Sequence, residues 1–142
     1  MRQELGEKDP IVLLQLVSTY LTSFYGSNLW DLYGDTTERL FKTWNVMVRF
    51  IFDLSRKTHK YLIESISQTS HLKVKLTKRF LKFSNTLSNC DKPHLKYLQD
   101  LQYNDRRSVY GRNVQNICEE AGAELLCEVD ISSISYESIP IE

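Results

Sequence analysis

The residues best suited to chemistry in this sequence are cations gathered on one predicted helix. No acidic residue occurs between Ser65 and Cys90, and the cations of this stretch are Lys73, Lys75, Lys78, Arg79 and Lys82. At 100° per residue all but Lys73 share one stripe beside the apolar face of the helix. Their mutual repulsion costs an isolated helix roughly a few tenths of a kcal/mol per pair, and phosphate groups would remove that cost. The stripe predicts contact with a nucleic-acid backbone; the alternative is a solvated basic face, neutralised by the acidic end of the chain.

A second basic cluster precedes another predicted helix and consists of Arg56, Lys57, His59 and Lys60. Backbone N–H groups at a helix N-terminus also favour an anion. No Ser or Cys nucleophile and no orienting carboxylate is recognisably paired with His59, which argues against a catalytic base. We therefore expect His59 to cap the helix or to lie beside a phosphate.

The sequence contains no pattern typical of a metal site, a phosphate-binding loop or a catalytic site. The metal-ligating candidates match no zinc-site spacing: His71, His94, Cys90, Cys118 and Cys127. A glycine-rich phosphate loop, a paired-carboxylate site and a His-Glu-x-x-His helix are absent from the sequence. We expect no catalytic residue, no metal and no cofactor, and hence no enzyme activity in this chain.

The aromatic residues Tyr25, Trp30, Phe41 and Trp44 allow two interpretations. Together they could form a platform on which bases stack. Trp44, however, lies within an apolar helical stripe, which favours core packing. For Trp30, in a predicted loop, both interpretations stay open.

Length and composition predict one small intracellular domain. The 142 residues are 42% hydrophobic, which suits a globular chain with a modest core. The apolar run Ile11–Leu21 is shorter than the ~20 residues of a membrane span, and no secretory signal pattern precedes it. An odd number of cysteines, three, without a Cys-x-x-Cys favours reduced thiols in the cytoplasm or nucleus.

The zero net charge conceals an asymmetry along the chain. From Thr36 to Lys82 eleven Lys and Arg residues face three acids, a balance of +8. From Cys118 to Glu142 there are seven acids and no Lys or Arg, a balance of −7. We therefore divide the chain into a helical domain, residues 1–122, and an acidic tail, residues 123–142.

Apolar periodicity predicts an all-α fold, an irregular bundle of about five to six helices with a poorly ordered acidic C-terminal tail. Asp9 and Pro10 begin the first helix, which is expected to run to Tyr25 and to end at Gly26. Asp35 and Glu38 have capping-box spacing before the second helix, whose far side is expected to carry Arg39, Lys42 and Arg49. Its apolar stripe consists of Leu40, Phe41, Trp44, Met47, Val48, Ile51 and Leu54.

The later helices follow from the same signals. We expect one helix over Thr58–Ser67 and a second over Leu72–Leu87, capped by Ser70. A further helix is expected to start at Asp91-Lys92-Pro93, and the last to run over Arg112–Ala121 and end at Gly122. The stripe of the Leu72–Leu87 helix is expected to pack against that of the second helix.

Five segments in order carry a family resemblance. They are Tyr25-Gly26-Ser27-Asn28-Leu29-Trp30-Asp31-Leu32, Trp44-Asn45 with Arg49, Leu54 to His59, Arg79-Phe80-Leu81-Lys82-Phe83, and Arg107 to Asn113. This string resembles the region after the polymerase core of non-LTR (LINE-type) retrotransposon reverse transcriptases, over roughly Ile11 to Ile117. The chain departs from the family at Ser55, where proline is common, and lacks both the paired catalytic aspartates and a Cys/His knuckle.

The resemblance implies a fragment of an RNA-directed DNA polymerase: its helical thumb and post-thumb region, without activity of its own. In the parent protein such helices would contact the template–primer backbone through Lys and Arg. The implied partners are nucleic acid and the missing polymerase core, whose absence would leave the first helix prone to self-association. The alternative is a stand-alone helical protein-interaction module. The role of Arg107–Asn113, a third phosphate contact or a polar connector, stays open.

Overall fold

The structure is a computed structural model that describes residues 9–20, 23–67 and 71–130, without the side chains of Tyr20, Lys60 and Glu64. Over these residues the chain forms α-helices and 3₁₀ turns and no strand, which confirms the all-α prediction. The helices are α1 Pro10–Tyr20, α2 Asp35–Ile51, α3 Lys60–Ser67, α4 Leu72–Ser88, α5 Pro93–Tyr103 and α6 Val109–Ala121. The 3₁₀ turns are Ser27–Leu29 and Leu126–Glu128.

The core lies around α4, which contacts α2, α5 and the Ser27–Leu29 turn. The two predicted apolar stripes supply much of it, through Phe41, Trp44, Val48 and Ile51 of α2 and Leu72, Leu76 and Phe80 of α4. Val114 and Ile117 of α6 complete the same cluster. The predicted packing of α2 against α4 is thus confirmed, although Leu40 and Met47 are only partly buried.

The first helix is shorter than the sequence suggests. Its start is as predicted, because the Asp9 carboxylate accepts a hydrogen bond from the Ile11 N–H at 3.0 Å. Its expected end at Tyr25 is wrong: Ser23 and Phe24 are not helical, and Phe24 has a φ of +44°. Gly26 does adopt the left-handed conformation, with φ +77°, but it precedes the Ser27–Leu29 turn instead of closing α1.

Two predicted helix caps are also wrong. Gly34 is the N-cap of α2 and Asp35 is its first residue, so the Asp35 capping box does not form. The N-cap of α4 is His71, whose Nδ1 accepts from the Lys73 N–H at 3.1 Å, and the expected cap Ser70 lies outside the described residues. Each cap lies one residue away from the predicted position.

The C-terminal part of the chain is built around α6. Ser108 caps α6 through its Oγ, which accepts from the Gly111 N–H at 2.9 Å, so the helix begins before the predicted Arg112. It ends as predicted, with Gly122 left-handed at φ +67°. Beyond it Leu126 and Val129 are buried in the common core. Residues 123–130 therefore pack on the helices, and residues 131–142 lie outside the described part.

Candidate nucleic-acid interface

The outward side of α4 carries the cations that the sequence predicts for phosphate contact. The helix has no acidic residue; Arg79 and Lys82 are exposed and Lys78 is half-buried. Arg79 donates from Nη1 to the Ser23 carbonyl at 2.9 Å, which orients its guanidinium group. Within the described ranges Lys78, Arg79 and Lys82 form no ion pair. These three positive charges are available to an anionic ligand.

Lys75 belongs to the same stripe but is engaged with the core. Its Nζ lies 5.6 Å from the centre of the Trp44 ring, within cation–π range. Burial, and after it the charge of Arg79, lowers the pKa of Lys75 below its usual value. Lys75 therefore covers an edge of the core and contributes less to an outward binding surface than its three neighbours.

Lys73 lies beside the acidic end of the chain instead of joining the stripe. Its Nζ is 3.4 Å from Glu120 Oε1 and 4.7 Å from the centre of the Tyr33 ring. The Tyr33 hydroxyl donates to the other Glu120 oxygen at 2.8 Å. Burial first, and then the Glu120 charge, raises the pKa of Tyr33 well above its usual value of 10. Neutralisation by the acidic end thus applies to Lys73.

The second basic cluster lies on the loop between α2 and α3. Arg56, Lys57 and His59 are exposed, and the side chain of Lys60 is outside the described part. The His59 ring stacks on Tyr61 with 5.5 Å between ring centres and 20° between planes. The cluster precedes α3, which begins at Lys60, as expected for cations at a helix N-terminus. It is carried by a different element from the α4 cations.

The segment Arg107–Asn113 has a structural role. Asn113 is 0% exposed, donates from Nδ2 to the Trp30 carbonyl at 2.8 Å and accepts at Oδ1 from the Leu32 N–H at 3.0 Å. Arg112 pairs with Asp31 at 3.3 Å, and Arg107 pairs with Asp105 at 3.1 Å. The polar-connector interpretation fits this geometry, because the groups proposed for phosphate already have protein partners.

The other segments singled out in the sequence also contact one another. Arg49 donates from Nη2 to the Thr58 carbonyl at 2.8 Å, so from the far side of α2 its side chain reaches the loop that precedes α3. The Tyr110 hydroxyl lies 2.6 Å from Ser84 Oγ, and its ring centre is 5.3 Å from that of Phe80. The first contact joins α2 to the loop before α3, and the second joins α4 to α6.

The two tryptophans differ in their surroundings. Trp44 is only 5% exposed and belongs to the core, as the apolar stripe predicts. Trp30 is half-buried and packs edge-on against Phe24, with 5.7 Å between ring centres. Neither ring is presented as an open stacking surface.

Sequence reasoning missed two buried polar contacts that fix this scaffold. One is the Asn113 amide between Trp30 and Leu32; the other joins His71 Nε2 to Asn45 Oδ1 at 2.9 Å. In each case a polar residue lies among the apolar positions of a helix, as Asn113 does beside Val114. That interruption was the available signal, since buried side-chain polar groups need partners.

Comparison with known proteins identifies no relative, because no family model, curated protein or solved structure matches this chain. None of the described helices is long and apolar enough to cross a bilayer. Among residues 9–20, 23–67 and 71–130, no group of three or more His, Cys, Asp or Glu side chains could hold a metal ion.

Proposed function

We propose that this chain is the C-terminal helical region of a LINE-type reverse transcriptase and that it binds the nucleic-acid backbone. The observation that carries the proposal is the outward side of α4, where Lys78, Arg79 and Lys82 have no acidic neighbour on their helix and no ion pair in the described residues. Phosphate groups are the ligands that such an uncompensated row of cations favours.

The contacts between the five segments support the family part of the proposal. Arg112 and Asn113 of the last segment contact the Trp30–Leu32 part of the first. Arg49 of the second contacts Thr58 of the third. Segments that keep each other in place are expected to recur together in related chains, because a change in one disturbs its partner.

The binding mode would be insensitive to sequence. Lys and Arg side chains on one helix face reach phosphate oxygens, release counter-ions and fix the position of the helix along the strand without reading base edges. The chain would supply contacts, and the polymerase core of the parent protein would supply the chemistry. Its own residues include no proposed catalytic group.

A salt titration of nucleic-acid binding tests the proposal. The wild type is compared with a triple variant carrying Lys78→Gln, Arg79→Gln and Lys82→Gln, using a labelled duplex. The log–log slope of affinity against salt should be about −0.9 per contacted phosphate, and the variant should lose up to about three such increments. Unrelated duplex sequences should be affected alike.

A matched control distinguishes an effect of the α4 surface from an effect of the net charge. The variant with Arg39→Gln, Lys92→Gln and Lys96→Gln removes the same charge from exposed positions on α2 and beside or within α5. It should lower the affinity less and change the slope little. Equal effects of the two triple variants, or no binding by the wild type at low salt, would refute the proposal.

A second candidate function, a helical protein-interaction module, rests on α5. This helix buries none of its residues and exposes Tyr97, Leu98 and Leu101. The expected self-association through α1 has a narrower basis, since Leu14 is buried and, among the described apolar side chains of α1, only Val12 and Leu16 are exposed. Sedimentation of the wild type against Leu98→Glu and Leu16→Glu would show which helix associates, and a monomer at all concentrations would exclude self-association through either helix.

A further inference from the structure

A second candidate binding surface lies at the end of α2, and it combines charged groups with an aromatic ring. Val46, Arg49 and Phe50 of the helix and Asp53, Leu54 and Arg56 of the following loop line an open groove of about 620 Å³. That volume is within the usual range of ligand sites. Phe50 is 62% exposed, so its ring is open to a ligand. The groove therefore combines a broad ring face with charged walls.

Arg49 places a fixed positive charge in this groove. Its Nη2 is held by the Thr58 carbonyl at 2.8 Å, which ties the end of α2 to the loop. In the part of the chain that the structure describes, its Nε is buried and has no hydrogen-bond partner. The lining contains two arginines, Arg49 and Arg56, and one acid, Asp53, so its formal charge is +1. An anionic group is the complementary occupant.

The groove is distinct from the cation row of α4. At about 100° per residue, Val46 and Phe50 lie about 200° and 240° around α2 from Trp44. Trp44 faces the core, and its ring is the one that Lys75 of α4 covers. The groove therefore opens on the side of α2 turned away from α4. A ligand in the groove would bind at a site separate from the cations of α4.

We infer that this groove binds one unpaired nucleotide of a nucleic-acid strand, with its base stacked on Phe50 and its phosphate beside Arg49 and Arg56. Aromatic and guanidinium planes together are the surfaces on which unpaired bases stack. A second ring pair, the His59–Tyr61 stack, follows in the sequence at the end of the same loop and the start of α3. The inference rests on the proposed nucleic-acid function and adds to it a place for a single-stranded segment.

The test compares a labelled single-stranded oligonucleotide with an abasic strand of equal length and charge. The wild type should bind the base-bearing strand roughly 5- to 150-fold more tightly, the range expected for stacking of one base. Phe50→Ala should remove most of that difference and leave abasic binding unchanged. Arg56→Gln should weaken binding to both strands, because it acts on phosphate.

Tyr97→Ala is the matched control, since Tyr97 is 64% exposed on α5, away from the groove. It should leave the preference for bases intact, and circular dichroism checks that every variant is folded. Phe50→Trp keeps a ring and should show quenched emission when the base-bearing strand is added.

Three results would overturn the inference. If Phe50→Ala keeps the preference for bases while the α4 triple variant loses its salt slope, the groove is not a nucleotide site and the proposed function stands. If no oligonucleotide binds at low salt, both proposals fail. If poly-glutamate binds in a Phe50-dependent manner and the strands do not, the groove accepts an acidic peptide instead.

Discussion

Asn113 shows how one buried amide can determine the arrangement of distant segments. It satisfies the Trp30 carbonyl and the Leu32 N–H, which are 83 and 81 residues away in sequence. Asn113→Ala would leave both backbone groups without partners. We expect a loss of about 2–4 kcal/mol in the free energy of unfolding, since each unpaired buried group costs roughly 1–3 kcal/mol. Urea unfolding followed by circular dichroism measures it.

Asn116→Ala is the control for that measurement. Asn116 lies on the same helix and is half-buried. Its loss should change the stability by no more than about 0.5 kcal/mol. Equal losses for the two variants would show that a general effect of removing an asparagine side chain from α6, and not the pairing of Trp30 and Leu32, is being measured.

Tyr33 makes the stability depend on pH in the alkaline range. Burial and the Glu120 charge raise its pKa, so above about pH 10 the unfolded chain releases the phenol proton while the folded chain keeps it. The folded state then binds more protons, and stability falls as the pH rises, by up to about 1.4 kcal/mol per pH unit. Tyr33→Phe should flatten that decline in urea unfolding measured from pH 8 to pH 11.

The lowered pKa of Lys75 acts in the opposite direction over part of the same range, but it is present in both proteins and cancels in their comparison. Tyr97→Phe, at an exposed tyrosine, should keep the wild-type slope. A Tyr33→Phe variant that loses stability as steeply as the wild type would contradict the assignment.

Local signals in the sequence predicted which segments are helical and several of the helix ends, although not the end of α1, the start of α6 or the caps of α2 and α4. Pro10 and Pro93 mark helix starts, Gly122 marks an end, and the apolar stripes of α2 and α4 identify their buried faces. These features depend on residues within one or two turns of each other, so spacing alone reveals them.

Contacts between elements could not be predicted in this way. The charge pattern placed the cations on α4, but it could not show that Glu120 of α6 pairs with Lys73 or that the Trp44 ring lies under Lys75. Which charges remain available depends on the neighbours that the fold brings close, and no periodicity in the sequence contains that information.

The junction of α5 and α6 contains a contact of this kind, and its effect on stability can be measured. A Cβ atom on Gly111 would lie 2.1 Å from the Asp105 carbonyl oxygen and 2.5 Å from that of Gln102. Both are backbone atoms, so Gly111→Ala must move the two helices apart. We expect a loss of about 1–3 kcal/mol or more, the cost of overpacking, in thermal unfolding.

Gly34→Ala provides the comparison for Gly111. Its φ of −81° suits any residue, and a Cβ there would lie 3.4 Å from the Asp31 side chain, an ordinary contact. Its stability should stay within about 0.5 kcal/mol of the wild type. If both alanines are tolerated equally, the close approach of α6 to the end of α5 is not required.

At the scale of the whole molecule, the described part of the acidic segment, residues 118–130, packs on the helices. Glu120 of α6 pairs with Lys73, Glu119 pairs with Arg106, and Leu126 and Val129 are part of the core. Residues 118–130 of the acidic segment are therefore also a structural element. Its removal would affect folding before it could affect competition for cations.

Two truncations distinguish these roles. Deleting residues 118–142 removes the end of α6 together with Cys118, Leu126 and Val129 from the core, and the remaining chain should unfold at room temperature. Deleting only residues 131–142 keeps every described core residue and removes two acids, Glu137 and Glu142. This shorter variant should keep its helical circular dichroism spectrum. It should bind duplex DNA somewhat more tightly at low salt, because two competing negative charges are gone.

The variant Glu137→Gln/Glu142→Gln serves as the control for the shorter truncation, since it removes the same charges and keeps the full length. Its affinity for duplex DNA should rise as much as that of the truncated chain, and the difference from wild type should vanish at high salt, where charges are screened. Tighter binding by the truncated chain alone would mean that residues 131–142 obstruct the binding surface by their bulk. Unchanged binding in both variants would show that these two carboxylates do not compete for the cations of α4.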